Sequence, residues 1–253
     1  MSLLKINGLC RNFGGLKAVC DLEVHIKEGS ITALIGPNGA GKTTAFNLVT
    51  GLTSVSSGTI HFHDHDITRL QPYKIAALGI ARTFQNIRIF ANMTVLENVM
   101  VGLHTRSSKG IFAAALKLPG TGKEERRIRD EAMKQLDFSG IAEYAHINAG
   151  NLAFGQQRAL EIARALASKP EMLLLDEPAA GLNSQETLIL GEMIGNIRDL
   201  GITVFLVEHD MELVMSISDK VFVLNNGILI AEGSPSEVQC NPEVIKAYLG
   251  DDE

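Results

Sequence analysis

Apolar and polar residues alternate over 2–9 and again over 20–27, where Leu22, Val24 and Ile26 fall on one side. A period of two predicts strands with one buried face. ITALIG, at 31–36, has no alternation. It is a continuous run closing on glycine, the pattern of a strand buried on both faces. KTTAFNLVTGL, at 42–52, has helical composition and stops at Gly51, and GTIHFHDHDIT, at 58–68, reads as strand, turn, strand. A short helix is predicted from Gln71 to Leu78 with Pro72 near its start. Between 94 and 148 the spacing turns helical: TVLENVMVGLH, IFAAALK, KEERRIRDEAMKQLDF and the stretch around IAEYA, broken at Pro119-Gly120 and Thr121-Gly122. Strands and helices then alternate: helix 156–169, strand 171–176, helix 184–200, strand 202–207, helix 210–217, strands 220–225 and 228–233, and helical turns in SPSEVQ and NPEVIKAYLG. This order predicts an α/β fold, a parallel sheet with helices on both faces, carrying a helical insertion.

Composition narrows the partners. The chain has 253 residues, enough for one large α/β domain or two small ones. Its net charge of −6 argues against nucleic acid, which is met by basic patches. No apolar run approaches the roughly 20 residues that cross a bilayer, and MSLLKINGLC has no signal-peptide layout. Any membrane role is therefore expected to be peripheral. Cys10, Cys20 and Cys240 have no metal-ligand spacing and read as reduced thiols. His61, His63 and His65, at alternate positions, are placed on one strand face as a solvated hairpin rather than a metal site. KEERRIRDEAMK reads as a solvated helix face with i,i+4 pairs.

Three strand ends carry chemistry. GPNGAGKT, at 36–43, fits G-x-x-x-x-G-K-[ST], with a strand before it and a helix after it. Gly36, Gly39 and Gly41 let backbone amides turn inward toward phosphate oxygens, Lys42 reaches the β- and γ-phosphates, and Thr43 can ligate Mg²⁺. Together with Pro37, Asn38, Ala40 and Thr44 these make the expected ATP-binding set. EMLLLDEP, at 171–178, brings two carboxylates to the carboxyl edge of the sheet, where ligands bind in open α/β folds. Asp176 is expected to hold Mg²⁺ through water and Glu177 to polarise the attacking water. LVEHD, at 206–210, puts His209 at a third strand end, as a γ-phosphate contact.

The order of these motifs, with RTFQN (82–86), NLAFGQQ (151–157) and AGLN (180–183) between them, resembles the ATP-binding subunits of ABC transporters nearly end to end. The resemblance implies a P-loop ATPase core with an antiparallel β subdomain, formed by 1–85 and 156–253, and an inserted helical subdomain at 86–155. It implies that Phe13 lies against adenine, that Gln85 touches Mg²⁺ and the attacking water, that Glu177 is the general base and that His209 is the switch histidine. It also makes Leu152, Ala153, Phe154, Gly155 and Gln156 the signature motif, which acts on the ATP held by the opposite chain. Two positions depart from the family pattern. LAFGQ replaces LSGGQ, losing a serine hydroxyl and gaining Phe154, and Asn183 replaces an aspartate. A lost hydrogen bond to a charged group is worth roughly 1.5–3 kcal/mol, which implies a heterodimer with unequal sites, or a homodimer when isolated. FGGLKAV, ARTFQNIRIFANMTVLENVMVG, LAFGQQRALEIARAL, DEPAAGLN and NPEVIKAYLG are similar to the branched-chain amino acid transport group. That likeness implies a peripheral ATPase on the cytoplasmic membrane face, two permeases, a second ATPase chain and an extracytoplasmic solute-binding protein. Transport of urea, short amides or another amino acid, lipopolysaccharide-type export, a soluble ABC ATPase and an ATP-binding regulatory module are the alternatives.

Overall fold

The computed structural model describes residues 2–104 and 121–249. IFAAALK and the Pro119-Gly120 break lie outside them. A four-stranded antiparallel sheet has the order β2-β1-β4-β5, from β1 (Ser2–Phe13), β2 (Leu16–Lys27), β4 (Ser57–Phe62) and β5 (His65–Asp66). A six-stranded sheet has the order β10-β9-β3-β8-β7-β6. It comprises β3 (Ile31–Ile35), β6 (Ile80–Arg82), β7 (Met172–Asp176), β8 (Thr203–Val207), β9 (Lys220–Asn225) and β10 (Ile228–Gly233). Its strands run parallel except β10, which returns antiparallel along β9. β3, β7 and β8 are buried at every residue, as their unbroken apolar runs require.

Helices lie on both faces of the six-stranded sheet as expected, and on one of them a second sheet packs over the helix. One face of the six-stranded sheet packs Leu34, Leu174, Phe205 and Leu224 against the helix α1 (Lys42–Val49) and the inner face of the antiparallel sheet. β1 and β2 bury Leu4, Ile6, Leu22, Val24 and Ile26 there, so their alternation reports a sheet-on-helix-on-sheet core. A second short helix, α2 (Pro72–Ala77), begins with Pro72 in its first turn. The other face of the large sheet is covered by helices. These are α5 (Phe154–Ala167), α6 (Ser184–Asp199), α7 (Met211–Ile217), α8 (Pro235–Gln239) and α9 (Pro242–Leu249), with Ile162, Ile194, Val214, Val238 and Val244 inward.

The helical insertion has its own core. Val95 and Val99 of α3 (Val95–His104) meet Ala132 and Leu136 of α4 (Thr121–Phe138) and Leu160 and Ala163 of α5. Thr121 and Gly122 stand at the start of α4 rather than in a break. On α4 the described ion pairs of Glu131 are to Lys134, three residues on, and to Lys169 beyond α5, not i,i+4 pairs. α5 serves two cores, since Ile162 and Leu166 face the sheet. The histidine cluster is also corrected. The hairpin turns at His63, with φ +51, so His61 and His65 stand on different strands. His63 bonds Glu171 at 2.7 Å, and no group of three potential metal ligands occurs among the described residues.

Candidate nucleotide site

The phosphate loop runs from the buried end of β3 to α1. At Gly36, φ +148, a Cβ would lie 2.0 Å from the Leu224 carbonyl oxygen; at Gly41, φ +103, it would lie 2.5 Å from that of Ala18. Only glycine fits either place, so the loop is wedged between β9 and β2. The Gly227 N–H donates to the Ala40 carbonyl at 2.9 Å, and the Cys20 N–H to that of Gly227 at 2.8 Å. Gly41 stands before α1 with no side chain to cap its first turn, leaving those amides to an anion. Lys42 Nζ donates to the carbonyls of Gly36, at 2.6 Å, and Pro37, at 3.0 Å. Burial pulls its ammonium below the usual lysine range, and the carboxylates of Glu177 and Asp176 oppose that shift. Thr43 is exposed and Thr44 half-buried beside it.

Asp176 and Glu177 follow β7 to the sheet's carboxyl edge. Asp176 is 2% exposed; its Oδ2 accepts from Arg82 Nη2 at 2.7 Å, while Oδ1 is buried without a hydrogen-bond partner. Arg82 also reaches Asn47 and Thr50 of α1 and the residue after it, at 2.8 and 2.9 Å. Glu177 has φ +47, a sparsely populated conformation for a residue with a side chain. Its N–H is held by the Val207 carbonyl at 2.9 Å. Gln85 Nε2 donates to Glu177 Oε2 at 2.9 Å, and His209 Nδ1 lies 3.9 Å from the same oxygen. Two residues more than a hundred positions apart, Gln85 and His209, thus converge on one carboxylate.

Four residues outside the expected set hold this convergence. Glu208, fully buried, accepts from the N–H groups of Ala179, His209 and Asp210 at 2.7, 3.0 and 3.3 Å. Burial pushes its carboxyl up from the ordinary value, and the three amides pull the other way. Arg158 and Glu161, 1% and 2% exposed, pair at 2.8 Å inside α5. Arg158 donates to the carbonyls of Phe84 and Gln85, each at 2.9 Å; Glu161 accepts from the N–H of Phe84 at 3.4 Å and of Arg88 at 3.3 Å. Arg82 is the fourth. Charged residues at apolar-face spacing within RALEIARAL carried the only sequence signal for the α5 pair.

Phe13, at the end of β1, is 46% exposed with the Arg11 guanidinium 4.5 Å from its ring centroid. An exposed ring on the hairpin that touches Gly41 through Ala18 suits stacking with a base. At the signature stretch the expected glycine-bearing turn is helix. α5 starts at Phe154, two residues earlier than its spacing suggested, so Phe154, Gly155 and Gln156 form its first turn. Leu152 is buried, and its carbonyl accepts from Gln157 at 2.9 Å. Gln156 Oε1 accepts from the Ala153 N–H at 2.9 Å, but Ala153 has no oxygen to return to the helix amides. Asn183 is the N-cap of α6: its Oδ1 accepts from the Glu186 N–H at 3.0 Å, and Glu186 returns the bond to its N–H at 2.9 Å.

A family model described as ABC transporter matches residues 19–180, and one described as branched-chain amino acid ATP-binding cassette transporter matches 229–253. The high-affinity branched-chain amino acid transport ATP-binding protein LivG of Salmonella typhimurium is 46% identical over 98% of each chain. The chain belongs to the ATP-binding proteins of ABC transporters, in the branched-chain amino acid group. The corresponding BraF protein of Pseudomonas aeruginosa is 45% identical over 98% of each chain. The crystal structure of the ADP conformation of an ABC transporter's ATP-binding cassette superposes with a TM-score of 0.87 at 32% identity, over 99% of this chain and 100% of that one. ATP-binding proteins of this family hydrolyse ATP to power transport, and this chain is such an ATPase. It is one subunit of a transporter complex, and among its described residues no helix is long and apolar enough to cross a membrane.

Proposed function

We propose that this chain energises import of leucine, isoleucine and valine from the cytoplasmic face of a membrane. It pairs head to tail with a second ATPase chain beneath two permeases that receive their cargo from an extracytoplasmic binding protein. The observation that carries the reading is the convergence of Gln85 and His209 on Glu177 in a chain 46% identical to LivG along its length. ATP lies with its phosphates in the loop from Gly36 to Thr44 and its base on Phe13. Lys42 exchanges the carbonyls of Gly36 and Pro37 for phosphate oxygens. Glu177 takes the proton of the water that attacks the γ-phosphorus, Gln85 orients that water, and His209 contacts the γ-phosphate. The unpartnered Asp176 Oδ1 fits a water of a magnesium ion, with Thr43 and Gln85 as the other ligating side chains. Magnesium, when bound, neutralises charge on the phosphates. The signature residues Leu152 to Gln156 serve the partner's nucleotide through the open amides of α5.

A groove of about 630 Å³ is lined by Ile75, Phe84, Arg88, Phe90, Val101 and Arg164. Its apolar floor and two arginines suit a short permease helix, and Phe84 and Arg88 belong to the segment that Arg158 and Glu161 grip. Docking there is thereby linked to Gln85. Uptake of labelled leucine, isoleucine and valine in the native host tests the assignment. Lys42→Ala is expected to abolish uptake of all three. Uptake that persists with no redundant system removes the substrate assignment and directs the assay to urea and short amides.

A further inference from the structure

Phe154 stands where the usual signature has glycine, and its ring has a defined seat. A Cβ built on Gly181 would lie 2.9 Å from Phe154 Cε1 and 3.2 Å from Cζ, so the ring edge occupies the space that glycine leaves. Gly181 has φ +82 and belongs to the loop that begins at Glu177. That loop is internally bonded: the Ala180 N–H donates to the Glu177 carbonyl at 3.1 Å, and the Leu182 N–H to that of Ala179 at 3.0 Å. Its far end is the Asn183–Glu186 cap, and a Cβ on Gly155 would meet Glu186 Oε1 at 2.6 Å. Two consecutive signature residues thus interlock with the loop that leaves the general base. The ring is 47% exposed, so burial alone gives little reason for an aromatic side chain here.

We propose that Phe154 is a positioning residue: seated on Gly181, its ring passes the placement of the signature turn on the partner's nucleotide to the loop that aims this chain's own Glu177. This rests on the head-to-tail reading above. A packed contact of this kind transmits displacement because side chains and backbone in van der Waals contact have no slack. A glycine at 154 has no ring to push with.

The test uses the full-length chain with MgATP and the variants Phe154→Gly, Phe154→Leu, Gly181→Ala and Phe154→Gly/Gly181→Ala. Phe154→Gly is expected to lower kcat about 10- to 100-fold, the scale of a misaimed catalytic group. Binding of a fluorescent ATP analogue by the dilute chain should stay within about twofold, because that nucleotide sits in the chain's own phosphate loop. Phe154→Leu should restore most of the turnover. Gly181→Ala crowds the ring, so its loss in the Phe154→Gly background should be smaller than in the parent. Unchanged kcat in Phe154→Gly overturns the inference, as do single losses that simply multiply, or ATP affinity that falls in step with kcat. The parent chain's specific activity should rise with concentration. A flat dependence sinks the head-to-tail pairing itself, whereas a rising one with silent Phe154 variants sinks only the role of the ring.

Discussion

At Glu177 the main chain holds φ +47, which costs a residue with a side chain roughly 1–3 kcal/mol. The surroundings enforce it: the Val207 carbonyl holds its N–H, Gln85 holds its carboxylate, and the next turn closes on its carbonyl. The carboxylate held in this way lies 3.9 Å from His209 Nδ1, and its charge acts on Lys42. Glu177→Gln preserves an acceptor for Gln85 at nearly the same shape and removes the proposed base. Turnover is expected to fall roughly 10²- to 10⁴-fold with ATP affinity nearly unchanged. Steady-state hydrolysis and nucleotide titration on one preparation check both halves. A parallel loss of affinity would mean that the carboxylate serves binding rather than proton transfer. The place of this residue at a strand end was legible from LLLDEP, read beside the phosphate loop. Its strained backbone was not, because nothing in a glutamate's identity announces a left-handed conformation.

Among the elements, α5 does the most connecting. Its first turn carries the proposed signature residues, its apolar residues join two cores, and its buried Arg158–Glu161 pair makes four bonds to the backbone of 84–88. Breaking a buried ion pair from one side leaves a charge without compensation, at about 3–5 kcal/mol. Arg158→Met is therefore expected to destabilise the chain by about that much. Adding Glu161→Leu removes the stranded carboxylate and should recover most of the stability, but not the four backbone bonds. Turnover of the double variant should stay low because Gln85 is no longer held against Glu177. Urea unfolding and hydrolysis rates separate the two effects, and full activity in a restabilised double variant would show the pair to be structural only. The helix was legible from its apolar spacing. The pair was not, since an arginine and a glutamate three apart more often form an exposed i,i+3 contact. The start of α5 was misplaced because glycine is a poor helix former and phenylalanine a middling one, while Glu186 packing on Gly155 and the Gly181 seat of Phe154 are tertiary facts. Likewise the covering of one sheet face by a second sheet was absent from the strand pattern, as alternation says that a face is buried without saying against what.

Across the whole molecule, the head-to-tail pairing proposed above makes the phosphate loop and the signature answer to different nucleotides. The loop is complete, with Lys42, Asp176, Glu177 and His209 in place, while LAFGQ has no hydroxyl where a serine-bearing signature would add a bond. The nucleotide in this chain's loop then meets the partner's signature, and the nucleotide in the partner's loop meets Ala153 and Phe154. For a partner that keeps the serine, a hydrogen bond to a charged phosphate worth roughly 1.5–3 kcal/mol is present at one site only, a rate difference of about 10- to 100-fold if realised in the transition state. Turnover should therefore run mainly through this chain's own loop. In the assembled transporter Lys42→Ala is expected to remove most hydrolysis, whereas the matching lysine substitution in the partner leaves most of it. Equal losses would show that the open amides of α5, which a phosphate can reach without any side chain, suffice on their own, and that the two sites are energetically alike despite their different sequences.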